Sequence, residues 1–112
     1  MHAADIVLEN EQQVIQIEVE RALVDFQDQW RAANVKRESF SQRIDRPVVL
    51  ILAVPDSATV CKRLESHEGL ISRALPTSSA EIWRALRGCQ SLRDDGLLFV
   101  RRRGPHASAS RP

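Results

Sequence analysis

The sequence predicts a small single domain of the α/β (or α+β) class. The expected order is β-α-β-α-α-β, with a long first helix and a three-stranded, mostly parallel sheet. Three observations carry this. The first proline is Pro47 and the first glycine Gly69, so residues 1–46 contain no breaker. Seven consecutive apolar residues, Val48 to Val54, lie between Pro47 and Pro55. Such a strand has no solvent face and must be covered on both sides, as in a parallel sheet. Beyond it, helical spacings lead to another apolar run, the alternation expected of an α/β chain.

The elements follow in order. "DIVL" (Asp5 to Leu8) reads as a short strand. Asn10 is a suitable N-cap for a helix from Glu11 to about Ser39. Ile15, Val19, Ala22, Leu23, Phe26, Trp30 and Ala33 recur at spacings of three and four, with Val14, Ile17 and Val24 widening the face. "IQIEVE", residues 15–20, also alternates as a half-buried strand would. The helical pattern runs for nearly twenty residues against six, and the helix is preferred on that ground.

"RPVVLILAVPDS" supplies the central strand, after which Asp56 or Ser57 caps a helix with Val60, Cys61 and Leu64 inward. Gly69 is its expected stop. "LISRAL" adds a helical turn or two, ended by Pro76. Ser78 with Glu81 forms a capping box for a further helix. Ile82, Ala85, Leu86, Cys89 and Leu92 make its buried stripe, with Arg84, Arg87 and Ser91 opposite. Asp94-Asp95-Gly96 is a turn, and "LLFV" the last strand. Residues 1–103 form the domain, and 104–112, small, polar and proline-bearing, read as a disordered tail.

Charge is small in sum and uneven in place. The net charge is +1, yet residues 1–35 balance to −5 and residues 36–112 to +6. Such polarity fits an anionic partner, or two regions facing each other within one chain or across a dimer. The second reading is preferred. Arginine outnumbers lysine fourteen to two, a bias that GC-rich coding alone produces, so an arginine run is weak evidence of a task.

Several classes are set aside. No apolar run approaches the roughly 20 residues that cross a bilayer, and "MHAADIVLEN" is no secretory signal. Two cysteines make no disulfide framework, so the expectation is a cytoplasmic protein with reduced thiols and no membrane partner. His2, His67 and His106 are scattered, and neither metal nor cofactor is expected. Ser57 has no placed base, so no catalytic residue is proposed and an enzyme is disfavoured. Trp30 and Trp83 lie on or beside apolar stripes, where core packing is the preferred role. Helix-turn-helix frames on Gly69 or Gly88 put charged residues at buried positions. A ribbon-helix-helix would need polar side chains within Val48 to Val54, which has none.

Two resemblances remain. "SSAEIWRALRGCQSLRDDGLLFVRRRG" resembles the recognition helix and first wing strand of winged-helix regulators. It implies that Arg84, Arg87 and Ser91 face a DNA groove and that Arg101, Arg102 and Arg103 meet phosphates. "RPVVLILAVPDSATVCK" resembles the strand and active-site turn of thioredoxin-like proteins. Cys61-Lys62 matches the second cysteine and its lysine, but Ala58 stands in place of the attacking thiol and Gly96 in place of a later proline. That resemblance implies at most a degenerate protein without redox activity.

The function expected first is a small non-catalytic interaction protein. It would be a homodimer or bind another protein through the long amphipathic helix, with Ile15, Val19, Leu23, Phe26 and Trp30 at the contact. The alternative partner is a nucleic acid or other anion. In a parallel sheet, Arg101 to Arg103 would gather with Ser57 at the C-terminal strand edge, with Arg84 and Arg87 adding charge. The plainer reading of "RRRG" is a solvated strand end.

Overall fold

The computed structural model describes residues 5–88 and 90–101. Four strands form one mixed sheet in the order β1-β2-β3-β4. β1 (Ile6–Glu9) runs antiparallel to β2 (Val14–Val19), while β2, β3 (Val48–Pro55) and β4 (Gly96–Val100) are parallel. Helix α1 (Phe26–Ser41) joins β2 to β3, and α2 (Ala58–Ser66), α3 (Glu68–Ala74) and α4 (Ser79–Gly88) join β3 to β4. The class is as expected, an α+β domain. The sheet has a fourth strand and one antiparallel pair.

That difference comes from one stretch. The helix expected from Glu11 to Ser39 is two elements: residues 14–19 are strand β2, and the helix begins only at Phe26. Ile15, Val19 and Leu23 are four residues apart, and four is even, so a strand satisfies the spacing as well as a helix does. A parallel ladder to β3, Val14 opposite Val48 through Val19 opposite Ala53, outweighs the helical propensity. Asn10 does cap, but it caps a hairpin turn. Its Oδ1 accepts from the N–H of Gln12 at 2.8 Å and of Gln13 at 2.9 Å. Asp25 is the true helix cap, accepting from Asp28 N–H.

Downstream the expectations fare better. Ser57 caps α2 by accepting from Val60 N–H at 3.2 Å, and Ser78 accepts from Glu81 N–H at 3.2 Å in the predicted capping box. Gly69 is not a stop: it lies inside α3, and α2 ends at His67. Cys89, Arg102, Arg103 and the tail 104–112 fall outside the described residues.

Each face of the sheet has its own core. On one, Leu52, Val54 and Leu97 meet Leu23, Phe26, Val60, Ile71 and Leu75, carried by α1, α2, α3 and their connections. On the other, Ile15, Ile17, Val49, Ile51, Ala53 and Leu98 meet Ile82, Ala85 and Leu92. The chain changes face around the outer edge of β4. There Thr77 forms a parallel bridge to Gly96 and donates its N–H to Asp95 O at 3.0 Å. Gly96 is required by this approach, since a Cβ would stand 2.7 Å from both Ile82 Cδ1 and Thr77 O. Asp95 fixes the start of the strands: its Oδ1 accepts from Leu50 N–H at 2.9 Å and from Arg37 at 2.7 Å.

Candidate interaction surface

Strand β2 distributes its side chains against the usual rule. Gln16 and Glu18 lie on the face beneath α1 and are buried, Gln16 completely. Ile15, Ile17 and Val19 lie on the opposite face, and Val19 is 48% exposed. The buried polar pair is held by hydrogen bonds. Gln16 Nε2 donates to Glu18 and to Ala33 O, and Lys36 Nζ pairs with Glu18 at 2.7 Å. The bond to Glu18 keeps the Lys36 ammonium above its ordinary pKa, against a smaller opposing effect of burial.

The opposite face is only half covered. α4 stands over its β4 side, with Trp83 Nε1 reaching Phe99 O at 3.4 Å and Ser79 Oγ accepting from Phe99 N–H. The ladder places Ile6 opposite Ile17 and Leu8 opposite Ile15, so both β1 residues point to this face. No helix lies above them. A groove of about 850 Å³ remains, lined by Ile6, Leu8, Ile17, Val19, Trp83, Leu86, Leu98 and Val100, with Glu20 and Arg21 among its few charged residues. Ile6, Leu8, Val19, Trp83 and Val100 are each exposed by 39–48%. Isolated exposed apolar residues are ordinary, but a contiguous set around one concavity marks a contact surface.

The residues expected at a dimer contact do not form one stripe. Ile15 and Val19 belong to β2, Leu23 to the following connection, and Phe26 and Trp30 to α1. Ile15, Leu23 and Phe26 are interior, and Trp30 stacks on Phe26 at 6.3 Å. Only Val19 borders the groove. Ile6, Leu8, Trp83, Leu86 and Val100 were not singled out as contact residues from the sequence. Reading "IQIEVE" as a strand would have found the first two, because a hairpin on Asn10 aligns "DIVL" against it.

The expected anion residues are dispersed. Ser57 and Arg101 do follow the C-terminal ends of the parallel β3 and β4, and Asp56 N–H bonds Val100 O at 3.1 Å. Arg84 instead borders a pocket of about 270 Å³ with Thr77, Glu81, Arg93 and Asp94, at the other end of β4. Arg87 is exposed on α4. Arg102 and Arg103 are outside the described residues. The strand that the winged-helix resemblance reads as a wing is a member of the main sheet, paired with β3. Cys61 is half-buried in the first turn of α2. Among the described residues no set of three His, Cys, Asp or Glu side chains could hold a metal, and no helix is long and apolar enough to cross a membrane. No family model, curated protein or solved structure matches the chain.

Proposed function

We propose that the chain is a small non-catalytic interaction protein that binds a protein partner through the half-covered face of its sheet. The observation that carries this is the groove beside α4, whose apolar lining is out of proportion to its few charges. The contact thus moves from the expected long helix to the sheet. A photo-crosslinking phenylalanine analogue placed at Leu8 tests the reading in cells, with the same probe at Glu65 on α2 as the control. Adducts of defined mass from position 8 alone support it. Their absence sinks it.

A nucleic-acid or other anion-binding reading is kept as second. It is favoured by the parallel pairing of β3 and β4, which brings Arg101 and the start of α2 to one end of the sheet. Ser57 already caps α2, and Asp56 puts a carboxylate beside the same N–H groups, which counts against it. Fluorescence anisotropy with duplex DNA and single-stranded RNA decides. Binding that survives physiological salt and is lost on changing Arg101, Arg102 and Arg103 to alanine would establish it.

A further inference from the structure

We infer that the occupant of the groove is a second copy of this chain, packed face to face about a two-fold axis parallel to the strands. This rests on the interaction reading above and names its partner.

Shape is the first argument. One half of the face bears a ridge, α4, over β4, and the other half is a trough over β1 and β2. A two-fold axis along the strands exchanges the halves. It sets each ridge into the opposite trough, at about the 10 Å separation at which sheets and helices pack. The face is therefore complementary to itself.

Charge is the second argument. From Asp5 to Glu20 the strand pair carries five carboxylates and no basic side chain. Glu18 and Glu9 are paired, to Lys36 and Arg46. Asp5, Glu11 and Glu20 form no ion pair among the described residues, and neither do Arg84 and Arg87 of α4. The same two-fold brings the basic ridge of one copy over the acidic half of the other. The charge asymmetry of the sequence, acidic first and basic later, then faces itself across an interface.

The remaining chain offers no rival. Residues 102–112 contain no apolar side chain larger than alanine or proline, and residues 1–4 contain one, Met1. Neither end has the chemistry to fill an apolar groove. Pairing through the outer edge of β1 is the weaker arrangement, because that edge is four residues long.

The test is sedimentation velocity on the full chain across micromolar concentrations. The expected result is a reversible dimer. Val19→Asp gives a monomer whose circular dichroism is unchanged. Arg84→Glu with Arg87→Glu, and separately Glu11→Lys with Glu20→Lys, each weaken self-association roughly tenfold. Mixing the two reversed variants restores dimer as a heterodimer, because each then presents the charge that the other lacks. A wild-type chain that stays monomeric overturns the inference, as does a mixture that stays monomeric while both variants are folded. The crosslink from position 8 separates the two failures. An adduct with a different protein overturns the second copy and keeps the interaction reading, and no adduct overturns both.

Discussion

The two faces of this sheet are made from alternate residues of the same strands, and they bury opposite things. Beneath α1 the face hides Gln16 and Glu18; on the other side it leaves Val19, Leu8 and Ile6 in contact with solvent. Coverage, not residue polarity, decides which side is interior. Three helices lie over the first face and one over half of the second. A polar side chain under full coverage must be satisfied, and Glu18 is, by Lys36 and Gln16. Among the described residues Gln16 Oε1 is the buried side-chain atom left without a partner. An apolar side chain without coverage has no such internal remedy, and its demand is met only by association.

The comparison breaks first where coverage is complete. Leu52 is fully buried among Leu97, Val60 and Phe26 on the closed face. Leu52→Ala should lower folding stability by about 2–5 kcal/mol, read from urea unfolding. A loss below about 1 kcal/mol would mean that α1, α2 and α3 do not close that side. Gly96→Ala comes next. Its Cβ meets Thr77 O, a backbone atom that cannot move without releasing the bridge. A cost of about 1–3 kcal/mol is expected, whereas Gly69→Ala meets nothing within 4 Å and should be neutral or stabilising.

The buried ion pair sharpens the comparison by its chemistry. Lys36→Met leaves the Glu18 carboxylate buried without its cation and should cost about 1–3 kcal/mol. Adding Glu18→Gln should recover part of it. The pH dependence has a definite sign. The folded pKa of Lys36 is raised above its ordinary 10.5 by the hydrogen bond to Glu18. The stabilisation is therefore complete below that value and is lost as pH rises through the folded pKa. Wild type should lose stability above about pH 10.5, and the Lys36→Met chain should lose less over the same window. Equal alkaline losses in the two would separate Lys36 from Glu18 in solution.

How much of this was legible in the sequence differs by region. Pro47 and Pro55 bracket a strand that the structure places within one residue of them. The Ser57 and Ser78 caps were readable because capping is local chemistry. β2 was not, because spacings of four are shared by both periodicities and only the partner strand β3, thirty-four residues on in the ladder at Val14 and Val48, decides between them. The groove was illegible for the same reason. It depends on which sheet face the chain reaches after rounding β4 at Thr77, and no residue pattern encodes that choice.

The smallest expected effect discriminates most. Val19→Thr keeps the β-branch and the shape and adds a hydroxyl. On a covered face that change costs well over 1 kcal/mol, because the hydroxyl loses its water. On an open face the hydroxyl stays solvated, and the folding stability of the dilute chain should change by less than about 0.5 kcal/mol. The same substitution removes a methyl from the proposed contact. Its effect should therefore appear in unfolding measured at high protein concentration and vanish on dilution, as linkage to association requires. A loss above 1 kcal/mol that ignores concentration would mean that the chain covers Val19 by itself, and that the two faces are alike after all.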